Sequence, residues 1–490
     1  MTDSTTNSQK VVTRFAPSPT GFMHVGGIRT ALFSYLWARK NGGEFILRIE
    51  DTDKEREVEG AIAHIMEALT WLGITWDYGP DKENPYGSSI QSERLPTYIE
   101  AARKLIKKGF AYPDPYSTEE VETFRKTALA EKRPFLFREH RPEHFGEWGE
   151  GIPLRFRVPD VRRMHWNDAV RGDLEAGEEA LDDFILIKSD GYPTYNLAHI
   201  IDDAAMGVTH IMRADEFISS VPKFLSLYEA LDITPPIFVT LPPILREDRT
   251  KKLGKRDGAK DILDYRTEGY LPNAMINFLA LTGWNPGGVD EIFTPEELVA
   301  HFDISGIQKA GALLNEEKLA WVNKAHIKRL SPNEQLAYIK QFMPKTYVNL
   351  PRFDDLLSRI APLLVERIGH FSELAELDAS GELEFYFVQP KYEKQMLFWK
   401  GDSDSIKLVE RLTKVSQIIE AMSEKSFTGE SVKEALWSYA ESEGRGQVLW
   451  PLRVALSGRE KSPDPFQLAS ILGKEETLRR ITFATALHHE

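Results

Sequence analysis

Apolar and polar positions change their period along this chain, and the changes mark its organisation. Val11-Val12-Thr13 closes a short strand-like run, followed by a loop holding Pro17, Pro19 and Gly21. Ala31, Leu32, Tyr35 and Leu36 then recur at helical spacing, predicting a helix over 28–40 that Asn41-Gly42-Gly43 ends. Residues 45–49 are a continuous apolar run suited to a buried strand, ending in Glu50-Asp51-Thr52-Asp53. Val58, Ile62, Ile65, Met66, Leu69 and Leu72 predict a second helix stopped by Gly73, and a third is expected over about 98–108, stopped by Gly109. Strand, helix, strand, helix at this spacing is a parallel α/β beginning. Ligands of open parallel sheets sit at the carboxyl ends of the strands, which puts residues 16–18 and Glu50 beside one crevice.

From Tyr112 to about Glu179 the periodicity loosens. Charges, Pro and Gly are frequent and only short β-like pieces appear, as at 154–158. This reads as an inserted subdomain. The α/β pattern resumes with a strand at 183–188, the turn Ser189-Asp190-Gly191, and Tyr192-Pro193-Thr194-Tyr195. An apolar stretch to Ile201, the acidic pair Asp202-Asp203 and a strand at 208–212 lead to Arg213. A strand at 237–241 precedes a Pro-rich turn and the basic loop Lys251-Lys252-Leu253-Gly254-Lys255-Arg256. Beyond about residue 270 the pattern is helical, with amphipathic segments near 356–365, 406–422, 432–439 and 468–478. The fold class expected is α/β: a doubly wound parallel sheet with an inserted α+β subdomain, followed by an all-α C-terminal half. No repeat or low-complexity tract interrupts it.

Composition narrows this picture. A chain of 490 residues with 42% hydrophobic content can bury more than one core, and roughly three to four domains are expected. No apolar run approaches the ~20 residues of a membrane helix, and the polar start MTDSTTNSQK lacks a signal-peptide core. With no cysteine, disulfides, thiolate catalysis and Cys-based zinc or iron–sulfur sites are excluded, in keeping with a cytoplasmic protein. The net charge of −14 argues against a uniformly basic surface but not against local patches. Arg103-Lys104 with Lys107-Lys108, Arg162-Arg163 and Arg479-Arg480 are candidates. Each alone reads as a solvated face; together they keep a polyanionic partner open.

The candidate chemistry is scattered. His24-Val25-Gly26-Gly27 stands where a helix starts, and helix N-terminal amides attract anions. There the imidazole could donate to phosphate, and Gly26 would let a base or ribose approach the backbone. A short H-x-G pattern also recurs by chance, and a structural His beside a turn explains it as well. Lys252, Lys255 and Arg256 sit on a glycine-containing loop able to close over a triphosphate, or simply solvated. There is no G-x-x-x-x-G-K-[ST], which argues against a P-loop NTPase. Arg14, Arg213 and Tyr195 suit recognition of an acidic small molecule, and Glu50 suits an α-ammonium. Singly, each reads more readily as a salt-bridge or surface residue; their shared placement at or just past predicted strand ends shifts the reading toward function.

Together these residues resemble the glutamyl-tRNA synthetases of class I, over nearly the whole chain. RFAPSPTGFMHVGG is similar to that family's opening and its HIGH-type motif. FILRIEDTD, KSDGYPTYNLA and MRADE resemble further blocks, and KLGKR occupies the place of the KMSKS motif. GQVLWPLRVALSG…SP…LGKEETLRRI resembles the anticodon-binding end. The resemblance implies a Rossmann-type catalytic first half (1–111), an acceptor-binding insert (112–180) and a catalytic second half with the KLGKR loop (181–260). A stem-contact region (261–325) and two helical anticodon-binding domains (326–380 and 381–490) would follow. It implies ATP and Mg2+ carried on the ATP phosphates, L-glutamate and tRNA(Glu) as partners, no membrane, and a monomer. Glutamate would be activated as its adenylate and passed to the tRNA 3′ end, with no protein nucleophile.

By position, the resemblance gives glutamate binding to Arg14, Ala16, Ser18, Glu50, Tyr195 and Arg213. Arg14 and Arg213 would take the side-chain carboxylate and Glu50 the ammonium. His24 and Gly26 would hold ATP, with Glu216 near its nucleoside, while Lys255, Lys252 and Arg256 would stabilise the transition state. Three departures stand out. Gly27 replaces the last histidine of the HIGH motif, at a position variable in this family. Gly254 replaces the serine of KMSKS. Tyr112-Pro113-Asp114-Pro115-Tyr116 stands where some members carry zinc-binding cysteines, so no zinc is expected and the insert should be held by packing, through Phe135, Phe137 and Trp166. The opening and the helical C-terminus argue against a glutaminyl enzyme, a truncated glutamyl-queuosine enzyme and a small-molecule nucleotidylyltransferase. His24 and Lys255 argue against a non-catalytic paralogue. Whether tRNA(Gln) is also charged stays open, with Arg367 a candidate anticodon reader.

Overall fold

The computed structural model describes residues 10–245 and 260–488. The chain forms two compact units, one built from the part up to Arg266 with Leu271–Val322, the other from Thr267–Tyr270 and Asn323 onward.

In the first unit, β1 (Val12–Phe15) and β2 (Glu44–Leu47) are parallel neighbours, joined through α1 (Val25–Lys40). The crossover works because α1 buries Ile28, Ala31, Leu32 and Leu36, a stripe of the 3.6 period. It starts at Val25, ahead of the predicted 28, because His24 caps it: His24 Nδ1 accepts from Gly26 N at 3.1 Å. The next helix, α2, is Ala61–Trp71. Gly60 before it is left-handed (φ 79°) and Val58 lies outside, exposed, its amide bonded to Pro19 O. The strand expected over 45–49 ends at Leu47, and Ile49 makes only an isolated bridge to Ile90. The third helix, α3, is Leu95–Lys107, and the short strand β3 (Ala111–Pro113) follows.

The predicted insert contains α4 (Thr118–Ala130), β4 (Leu154–Phe156), and the hairpin of β5 (Met164–Asp168) and β6 (Gly172–Ala176). Its strands do not form a sheet of their own. β4 pairs antiparallel with β3 on one side and with β7 (Ile185–Ile187) on the other. After α5 (Tyr195–Ala205) come β8 (His210–Ala214), α6 (Val221–Ala230) and β9 (Ile237–Leu241). The second sheet runs β6-β5-β9-β8, so the insert's hairpin extends it. Thr209 joins β8 to β1, its amide donating to Val12 O while its hydroxyl oxygen accepts from Val12 N, both at 2.9 Å. Among the insert's predicted packing residues, Phe137 is buried, with the Arg155 guanidinium 3.3 Å from its ring centre. Phe135 and Trp166 are half-buried, and Trp166 packs against the main core instead. Within the stretch 112–116, Asp114 accepts from Arg155 Nε at 3.0 Å.

The pattern beyond 270 is helical except for β11 (Ala312–Leu313), which pairs in parallel with β10 (Ile244–Leu245) within the first unit. In the second unit, Phe353–Val365, Ser405–Glu420 and Gly429–Glu443 cover the predicted amphipathic stretches. The stretch at 468–478 is two helices, Pro465–Leu472 and Lys474–Ala486. Gly473, at φ 83°, breaks it, a backbone conformation L side chains avoid.

Candidate active site

A cavity of about 740 Å³ opens at the carboxyl ends of β1 and β8 and the amino end of α5. Arg14, Ala16, Ser18, Glu50, Tyr195 and Arg213 all line it. Strand direction brings them together: β1 delivers Arg14 and Ala16, the chain leaving β2 delivers Glu50, and β8 delivers Arg213.

Arg213 is 5% exposed and ringed by Phe217, Phe224 and Phe238, with ring centres 4.9–5.6 Å from its Cζ. Its Nη1 and Nη2 are buried and have no hydrogen-bond partner. Burial pushes its pKa down. A buried cation without a counter-ion is costly, and a carboxylate entering the cavity would satisfy both nitrogens bidentately.

Arg14 differs. Its Nε donates to Asp203 Oδ1 at 3.1 Å and its Nη2 to Oδ2 at 3.4 Å, so a protein carboxylate already clamps it. Asp203 also accepts from Arg48 Nη1 at 2.7 Å. Burial alone would raise the Asp203 carboxyl; Arg14 and Arg48 outweigh it and hold it well below the usual carboxylate range. Arg48 Nη2 donates to Glu50 at 3.0 Å, and burial pushes Glu50 upward against the pull of Arg48 and Arg14. Tyr195 stacks on His199 at 4.4 Å, and His199 Nδ1 lies 2.6 Å from Tyr195 O. Burial lowers His199 to about 3, so it is neutral at pH 7.

Of the expected ATP residues, His24, Gly26 and Glu216 are not among the lining of this cavity, whereas Gly27 and Thr30 line it. Gly26 makes room for the imidazole itself, since a Cβ there would sit 2.9 Å from His24 Cε1. Glu216 is exposed on the turn after β8. Lys252, Gly254, Lys255 and Arg256 lie outside the described residues. Sequence reasoning gave no role to Arg48, Asp203 or His199. The available signal was a charge inside the apolar run FILRIE and an acidic pair ending an apolar helix.

The family model for the catalytic domain of class I tRNA synthetases (E and Q) matches residues 10–321, and that for an anticodon binding domain matches residues 334–485. The chain belongs to the class I tRNA synthetases. It is 40% identical to a glutamate–tRNA ligase of Dehalococcoides mccartyi, covering 98% of each chain. It is also 40% identical to one of Clostridium botulinum, covering 97% of this chain and 98% of that one. The crystal structure of a glutamate tRNA ligase from Elizabethkingia meningosepticum in complex with its amino acid superposes with a TM-score of 0.86 at 34% identity, over 97% and 99% of the two chains. This class I synthetase therefore has the fold class read from its pattern, with a cavity lined by charged side chains at the strand ends. Among its described residues no helix is long and apolar enough to cross a membrane, and no three His, Asp or Glu side chains group as metal ligands.

Proposed function

We propose that the chain ligates L-glutamate to the 3′ end of tRNA(Glu), in the cytoplasm, in two steps. One α-carboxylate oxygen of glutamate attacks the α-phosphorus of MgATP. The bond to the β-phosphate breaks, giving glutamyl-adenylate and pyrophosphate. A terminal ribose hydroxyl of the tRNA then attacks the activated carbonyl, loses its proton, and AMP leaves. The full-length similarity to glutamate–tRNA ligases supports this reading. The observation that carries it is Arg213, a buried guanidinium with two unpartnered nitrogens in a cavity otherwise fitted for an amino acid.

In this reading the side-chain carboxylate meets Arg213, with Arg14 held alongside by Asp203. Glu50 takes the ammonium, and Tyr195, Ser18 and the backbone at Ala16 fix the remainder. Glutamine, with a neutral amide, would leave Arg213 unpaired in a buried site, which supports rejection. ATP is assigned to the start of α1 at His24 and Gly26, with Glu216 toward the nucleoside. Magnesium rides on the phosphates. Lys252, Lys255 and Arg256 would neutralise charge growing on the α-phosphate, so catalysis is positioning plus electrostatics. The helical part from 326 onward is assigned to the anticodon. Arg367, paired there with Glu382, would need to exchange that partner to read a base. Charging purified tRNA(Glu) and tRNA(Gln) with labelled glutamate tests the assignment. Glutamyl-tRNA(Glu) is the product expected; absence of charging on both tRNAs would overturn it.

A further inference from the structure

Arg48 lies behind the cavity without lining it and is fully buried. Its Nη1 holds Asp203 at 2.7 Å and its Nη2 holds Glu50 at 3.0 Å, while Nε lies 3.9 Å from Asp202. Asp202 is itself held by Arg94 Nε at 2.7 Å, Gln91 at 2.8 Å and Tyr98 at 2.8 Å. Four guanidiniums, on Arg14, Arg48, Arg94 and Arg213, thus stand with three carboxylates, on Glu50, Asp202 and Asp203. All seven residues are buried, so the cluster carries one formal positive charge in excess. A glutamate zwitterion, with net charge −1, neutralises it; glutamine does not.

We propose that Arg48, which touches no substrate atom, is a positioning residue of this site that adds to its specificity. Resting on the reading above, it acts in two ways. Its planar fork spans two carboxylates from different elements, fixing the ammonium acceptor Glu50 and, through Asp203, the Arg14 clamp. Its charge also supplies the excess that favours an acidic ligand over its amide. The groups facing Glu50 are Arg48 on its own segment, Arg14 from β1, and Asp203 and Tyr195 from α5. Without Arg48, Glu50 and Asp203 would share Arg14 alone, and Glu50, already pushed up by burial, would take a proton at higher pH. A protonated Glu50 cannot pair with an ammonium.

The test is glutamate-dependent ATP–pyrophosphate exchange, with tRNA present, on wild type, Arg48→Gln and Arg48→Lys across the acidic and neutral range, with glutamine as competitor. Arg48→Gln should raise the glutamate KM by about tenfold, change kcat far less, and move the acid limb of kcat/KM up by about one pH unit. The preference for glutamate over glutamine should narrow by a smaller factor, because losing the ammonium acceptor falls on both amino acids and only the lost charge discriminates between them. Arg48→Lys, which keeps the charge but reaches only one carboxylate, should retain the preference while raising KM in part. In a Glu50→Gln background the shift of the acid limb should vanish. Circular dichroism establishes folding; if Arg48→Gln does not fold, Arg48→Lys decides, with an unchanged KM overturning the proposal. A folded Arg48→Gln with wild-type KM, acid limb and preference overturns it too, as does a loss confined to kcat. Failure of the wild type to exchange with glutamate would instead overturn the underlying function.

Discussion

Arg213 and His199 both keep polar nitrogens in the protein interior without partners, and each makes a measurable prediction. An unpaired buried cation costs stability when the cavity is empty, and replacing such a group by an apolar side chain of similar length is often stabilising. Arg213→Met should therefore keep or raise the Tm of the unliganded protein while abolishing the Tm rise that glutamate gives the wild type. It should raise the glutamate KM by about a hundredfold, roughly 3 kcal/mol of lost charged hydrogen bonds. A variant less stable than wild type yet still shifted by glutamate would refute the assignment. His199 ordinarily titrates near 6.5, and burial lowers it to about 3. Between those values the unfolded chain binds the extra proton, so His199 costs stability increasingly as pH falls, by up to about 1.4 kcal/mol per unit. Denaturant titrations between neutral and mildly acidic pH should show a shallower slope in His199→Gln. Arg14, Glu50 and Arg213 were legible in the sequence because they end predicted strands, where parallel sheets place ligands. Arg48 and Asp203 were not, because an apolar run does not say which neighbour will neutralise a charge embedded in it.

At the scale of elements, the start of α1 obeys a local capping rule with the same residues to which ATP binding is proposed. His24 caps the helix, and Gly26 leaves room for the imidazole. Gly26→Ala should displace that ring and remove the cap, costing about 1 kcal/mol of stability. It should also raise the ATP KM in pyrophosphate exchange with little change in the glutamate KM. A rise in the glutamate KM alone would contradict the division of labour between the two ends of this segment. The helices and parallel strands were readable from period and from glycine stops. What escaped was local backbone geometry: Gly60 and Gly473 adopt positive φ values, so that one helix begins only after Gly60 and another stretch is divided at Gly473, although the apolar spacing continues through both. The sheets of the insert escaped for another reason, since strands of three residues carry too little period to reveal that β4 pairs with β3 and β7.

For the whole molecule, two compact units and two matched families describe a catalytic part and an anticodon-binding part in one chain. A net charge of −14 means that a polyanionic tRNA must be met by local basic patches. The tRNA KM in charging should therefore rise steeply with added salt, whereas the glutamate KM, if set by the buried side chains Arg14, Glu50 and Arg213, should change little. Parallel salt dependence of both would contradict that picture. The central claim is that the cavity at the strand ends activates glutamate because of its side-chain carboxylate. ATP–pyrophosphate exchange in the presence of tRNA, with glutamate and glutamine compared as the only amino acid, tests it most directly. Exchange with glutamate and none above background with glutamine is the result predicted; exchange supported by glutamine but not by glutamate would contradict the account.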